Sequence, residues 1–256
     1  MQQSRVVLLA GPGESTAITY NALRREFSVT VILEQRVART SFIARRVKRL
    51  GFWTTAGQVL FRAVVVPILR ITSRARVREI RRQFALDGSA IPPEVVIRVE
   101  SANSEQVISA LRELDPAVVV VNGTRILTPA VLHAVPCRFI NIHAGITPLY
   151  RGVHGAYWAL VQRRPADCGV TVHLVDTGID TGDIIAQAQI ACGPRDNFVT
   201  YPYLQIGTAI PLLMEAVRAA QRGELRPRHT APGASRLWSH PTMAEYIRNR
   251  VQLGVR

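Results

Sequence analysis

Three polar clusters between Val118 and Ile185 supply an amide, an imidazole and a carboxylate, and they are where this chain could do chemistry. The first, Asn122-Gly123-Thr124-Arg125-Ile126-Leu127, follows a run of four valines. The second is Asn141-Ile142-His143, continued by Ala144-Gly145-Ile146-Thr147-Pro148-Leu149-Tyr150-Arg151-Gly152. The third runs from His173 to Asp176 and on through Thr177-Gly178-Ile179-Asp180-Thr181-Gly182-Asp183. An imidazole exchanges protons near neutral pH, and a nearby carboxylate favours its charged form. An amide N–H beside it can donate to a developing oxyanion. These are the parts for acyl transfer to an amine, with no Ser or Cys obviously placed as a covalent nucleophile. The Asp-rich run also suggests a calcium loop, but no distal Glu completes a twelve-residue EF-hand.

Elements able to position these residues alternate along the first two-thirds of the chain. Short apolar runs at residues 5–10, 28–34, 95–99, 117–122, 139–143 and 169–175 read as strands buried on both faces. Ser15 or Thr16 is the expected cap of a helix running to about Arg25, and Asn103 or Ser104 that of a helix ending at Leu114. The expected fold is α/β, a Rossmann-like, mostly parallel sheet with flanking helices. Ligands bind outside the carboxyl ends of such strands, and all three clusters are expected there. Asn141 and His143 stand two apart on one strand, so their side chains share a face. After Asp196 the pattern turns helical, with an amphipathic stretch at 208–222 ending at Gly223, a turn at Ala231-Pro232-Gly233 and a late helix over 242–253. Residues 1–195 therefore read as one catalytic domain, carrying a basic helical insert at about 36–85, and 196–256 as a helical C-terminal extension packed on it.

The insert holds most of the charge. Between Arg36 and Arg82 stand thirteen basic residues against one acid, Glu79, a balance of +12 out of +14 for all 256 residues. An apolar stripe at 58–71, with Pro67 expected to kink it, reads as about fourteen residues, short of the roughly 20 needed to span a bilayer. Phe42, Phe52, Trp53, Phe61 and Phe84 interleave the bases at the spacing of ordinary helix packing. Peripheral contact with an anionic surface is the expectation for this segment, a membrane before a nucleic acid. Three cysteines, Cys137, Cys168 and Cys192, form no C-x-x-C pair, and the N-terminal apolar run is too short for a signal peptide. The expectation is a reducing, cytoplasmic setting, at most peripheral to the inner face of a membrane.

The segment from about 115 to 189 resembles the folate-dependent formyltransferase family, which includes glycinamide ribonucleotide, methionyl-tRNA and sugar-amine N-formyltransferases. The resemblance rests on Asn141, His143, Pro148, Gly152 and Ile179-Asp180-Thr181-Gly182 in that order and spacing. It is looser over 5–33 and absent over 36–82. It implies transfer of a formyl group from 10-formyltetrahydrofolate to a small, phosphate-bearing amine, with no metal. Asn141 would polarise the formyl oxygen, His143 would carry the proton, and Asp180 would orient His143 and raise its pKa. Arg125, Ile126 and Leu127, with Val175, Asp176, Thr177 and Gly178, would line the pterin slot. His154 and His173 stand nearby as expected bystanders, and Asp176 and Asp183 also read as loop-shaping carboxylates. Gly145-Ile146-Thr147-Pro148 replaces the family's usual Ser-Leu-Leu-Pro, and Glu14 puts the wrong charge beside a phosphate-cradling Gly13. Glycinamide ribonucleotide formylation is the alternative within the class. An RNA-binding or tRNA-formylating protein using the basic insert is the alternative outside it.

Overall fold

The computed structural model describes residues 5–35, 39–229 and 234–256. Arg36, at the start of the basic insert, and the turn expected at Ala231-Pro232-Gly233 lie outside the described residues. The chain begins with β1 (Arg5–Ala10), α1 (Glu14–Leu23) and β2 (Ser28–Glu34), and then enters three helices, α2 (Arg39–Leu50), α3 (Phe52–Thr72) and α4 (Arg74–Gln83). It returns through β3 (Val96–Val99), α5 (Glu105–Leu114), β4 (Val118–Asn122), α6 (Pro129–Leu132) and β5 (Arg138–His143). Next come β6 (Arg151–Gly152), α7 (Gly155–Val161), β7 (Gly169–Leu174) and β8 (Ile184–Gln189), and α8 (Tyr201–Gln221), β9 (Leu237–Trp238) and α9 (Met243–Leu253) close the chain.

Seven strands form one sheet in the order β3-β2-β1-β4-β5-β7-β8, parallel from β3 to β5. Alternation along β1 sorts its side chains into two layers. Val6, Leu8 and Ala10 pack with Tyr20 and Leu23 of α1 and Leu213 and Val217 of α8. Val7 and Leu9 pack on the other face with Val107 and Leu111 of α5. A third, aromatic core joins Phe61 and Leu69 of α3 to Tyr157 of α7, Leu204 of α8 and Tyr246 of α9.

Four expectations need correcting. β7 runs antiparallel to β5, with Asn141 opposite His173 and His143 opposite Thr171, so the third polar cluster does not leave the carboxyl-end side as the first two do. The link through α7 leaves the chain at the C-terminal end of β5 instead of carrying it back to the start, a difference that apolar runs do not encode. Ser15 and Thr16 lie inside α1, whose N-cap is Gly13, and Thr16 Oγ1 donates to the Gly11 carbonyl at 2.6 Å. The insert's central helix is 21 residues long and runs through Pro67, because Thr55, Gln58, Phe61 and Leu69 are buried along its inner side. The extension from 196 to 256 is not helices alone: its β9 pairs with β6 through Arg151↔Leu237 and Gly152↔Trp238.

Candidate active site

The sheet leaves β1 for β2 and β3 and returns to β4, so a crevice opens beyond the carboxyl ends of β1 and β4. A cleft of about 480 Å³ lies there, walled by the segment from Asn122 to Leu127, the end of β5 and the loop that follows β7. Ile126 projects into it half-exposed.

Asn141, His143 and Asp180 meet in this cleft. His143 is buried, with 4% of its side chain exposed, and its Nδ1 lies 3.2 Å from Asp180 Oδ2. Its Nε2–H donates to the Tyr150 carbonyl at 2.6 Å. The ring is held at both nitrogens, and exchange of a proton with a substrate requires one of these bonds to open. Asp180 also accepts from the Gly152 N–H at 2.9 Å and adopts a left-handed backbone, φ 51°. Burial pushes its carboxyl up, but hydrogen bonds from His143 and His173, the charge of His143 and the Gly152 N–H outweigh that and hold it well below the usual carboxylate range.

His173, expected as a bystander, belongs to the same cluster. Its Nδ1–H donates to the Leu174 carbonyl at 2.7 Å. Its Nε2 faces both the Asn141 side-chain amide at 3.2 Å and Asp180 Oδ1 at 3.7 Å. That nitrogen accepts from Asn141 when bare and donates to Asp180 when protonated, and it cannot do both. The antiparallel pairing of β5 and β7 sets it opposite Asn141, a placement that strand-end reasoning does not supply. His154 lies elsewhere, its Nε2 2.8 Å from His240 Nδ1.

Glu34, at the buried end of β2, was not foreseen. Its carboxylate accepts from the Arg125 N–H at 3.0 Å, from Arg125 Nε at 2.8 Å and from the Ala102 N–H at 3.0 Å. It clamps the segment expected to hold a pterin ring. An acid closing an apolar strand was the one signal available in the sequence. The cleft is also lined by Arg125, Leu127, Val175, Asp176 and Gly178, whereas Thr177 faces a separate hollow beside Cys137 and Phe139. Asp176 shapes its own loop, accepting from the Gly178 N–H at 3.0 Å and the Thr181 hydroxyl at 2.8 Å. Asp183 pairs with His229 instead, so the three carboxylates of the Asp-rich run point to different partners.

A second cavity of about 300 Å³ adjoins the first, sharing Ser15, Pro202 and Ile206 as walls. Arg62 and Arg70 of α3 line it with His154, His240 and Tyr203. Burial pushes the His240 imidazole down to about 4, with the charges of Arg62 and Arg46 adding to the effect. Burial likewise lowers His154, with His240 and Arg62 contributing. Glu14, the wrong charge for a phosphate loop, is bound by Arg81 of α4 at 3.0 Å and by the Tyr203 hydroxyl at 2.6 Å.

Residues 62–202 match the family model described as formyl transferase. A methionyl-tRNA formyltransferase from Heliobacterium modesticaldum is 34% identical over 146 residues, which is 52% of this chain and 45% of that protein. The chain thus spans less than half the length of the curated relatives it matches first. A sugar N-formyltransferase from a Shewanella species superposes with a TM-score of 0.56 at 14% identity, covering 91% of this chain and 75% of that one. Phosphoribosylglycinamide formyltransferase from Streptococcus pneumoniae gives 0.51 at 22% identity, covering 84% and 98%. At these identities the structural likeness concerns the fold alone.

Proposed function

The chain belongs to the formyl transferase family, and on that premise we propose that it moves a formyl group from 10-formyltetrahydrofolate to the amino group of a small, phosphate-bearing acceptor. The observation that carries this reading is the Asn141–His173–Asp180–His143 cluster at the floor of the cleft. The Arg125–Leu127 backbone, clamped by Glu34, offers fixed amide and carbonyl groups to a flat heterocycle. The co-substrate supplies the formyl carbon and a leaving nitrogen. As the acceptor amine attacks that carbon, Asn141 donates its side-chain N–H to the oxygen that gains charge. A new C–N bond forms, the old one breaks, and the proton lost by the amine ends on the leaving nitrogen. His143 and Asp180 hold that proton in transit, and Gly152 N–H keeps the carboxylate aimed at the ring. His173 positions Asn141: its bare Nε2 accepts one N–H of the amide, which leaves the second N–H for the substrate oxygen.

The second cavity favours an anionic acceptor. Arg62 and Arg70 have no ion-pair partner among the described residues, so a phosphate entering beside Ser15 meets two unspent cations. Glycinamide ribonucleotide is one acceptor of that class, although the Glu14 carboxylate stands at the N-terminal loop. The curated relatives support a second reading, methionyl-tRNA as the acceptor, but more than half of each lies outside the part this chain matches.

A stable deaza analogue of the donor tests the folate site directly. At a hundredfold excess over its dissociation constant it should stabilise the fold by about 2.7 kcal/mol, read as a rise in melting temperature. No rise in a folded sample would sink the donor assignment. Folate absorbance against a panel of amines, with and without phosphate, then tests the acceptor. Arg62→Ala with Arg70→Ala should raise KM for the phosphorylated amine and leave kcat nearly unchanged.

A further inference from the structure

α3 turns an apolar side to solvent, and no other element covers it among the described residues. At 3.6 residues per turn, Trp53, Leu60, Val64, Ile68 and Ile71 fall on one side, and no charged residue interrupts them. Trp53 is 84% exposed, Ile68 55% and Leu60 50%. A surface helix ordinarily presents polar residues outward, and a continuous exposed apolar patch marks an interaction site. By length and composition the helix could cross a membrane, yet its inner side is committed to the domain. Phe61 and Leu69 lie in the aromatic core, and Gln58 donates to the His240 carbonyl at 2.6 Å. Spanning would strip these contacts away, whereas lying flat keeps them.

Bases flank both ends of the stripe. Lys48 and Arg49 close α2 just before Phe52, and Arg74, Arg78 and Arg82 follow in α4. All five are exposed and without an ion-pair partner among the described residues. A second copy of the chain would set one strongly basic face against another. A nucleic acid would satisfy the bases but leave the apolar side uncovered. An anionic bilayer surface matches both features.

We propose that α3 lies in the headgroup layer of an anionic membrane, its apolar side shallowly inserted and the flanking bases on lipid phosphates. This holds whichever acceptor the active site uses, and its test does not read activity. The full chain is floated with vesicles of equal parts phosphatidylcholine and phosphatidylglycerol, beside phosphatidylcholine alone and a structured RNA. It should float with the anionic vesicles and not with the neutral ones. Tryptophan emission should shift to the blue on binding, and Trp53 is the reporter because Trp158 and Trp238 are buried. Val64→Asp with Ile68→Asp should weaken vesicle binding by at least about tenfold at an unchanged melting temperature. If that pair disturbs the fold, Leu60→Ser provides the same comparison. No flotation with anionic vesicles, or flotation undiminished in folded variants, overturns the proposal. So does RNA retention without vesicle binding, or a Trp53 emission that shifts with protein concentration in the absence of lipid, which would mean a second copy covers the face.

Discussion

Asp180 gathers two imidazoles and a backbone N–H on one carboxylate, so the chemistry and part of the stability depend on its charge. Asp180→Asn should lower turnover by about 10² to 10⁴, the usual worth of a positioned proton carrier, and so should His143→Ala. The double variant should be little worse than either, because the pair acts as a unit. Steady-state rates on the three proteins check this. The stability consequence has a definite sign. A folded-state pKa held below the unfolded value contributes stability at pH above the unfolded value, and that contribution disappears as pH falls through the folded one. The wild-type protein should therefore melt above Asp180→Asn at neutral pH, and the gap should narrow below about pH 4. Melting curves of both proteins from neutral to acid pH read it.

At the scale of elements, two connections hold the site in shape. The end of β2 reaches across β1 to the segment after β4 through Glu34, which leaves three donors unpaired if it is removed. Glu34→Ala should cost about 1–3 kcal/mol for each buried donor left bare. It should also raise KM for the folate more than it lowers kcat, since the segment it clamps binds and does not react. The second connection is the short pairing of β6 with β9. Gly152 sits there at φ +92°, and a Cβ would come 2.4 Å from the Trp238 carbonyl. Gly152→Ala should destabilise the fold by about 1–3 kcal/mol and lower kcat, because the same residue aims Asp180. A denaturation curve and a rate measurement together test both consequences.

Across the whole molecule, the insert is attached to the body by a buried ion pair. Arg76 of α4 donates through Nε and Nη2 to the two Asp196 oxygens at 2.8 and 3.0 Å, and the carboxylate is fully enclosed. Burial pushes that carboxyl up, and Arg76 outweighs it and holds the value down. Arg76→Ala leaves the charge enclosed without its partner, and about 3–5 kcal/mol of stability should go with it. A shift of the denaturant midpoint at constant slope would measure the loss. The same attachment places Arg62 and Arg70 on the wall of the second cavity while the outer side of α3 stays bare.

What the sequence by itself determined is what neighbouring residues decide together. The valine-rich runs give strands wherever both faces are to be buried, and β1 and β2 begin and end where those runs do. The spacing of Asn141 and His143 puts both on the last residues of β5, and the order of the polar clusters is enough to bring the family into view. The direction of β7, the reach of Glu34, the entry of His173 into the cluster and the support of Gly152 by Trp238 depend on partners far away in the chain. Periodicity along a segment reports which side it buries, and carries no record of what it is buried against. The tertiary structure alone decided those contacts, and with them which of the charged and aromatic side chains serve the site and which hold its walls.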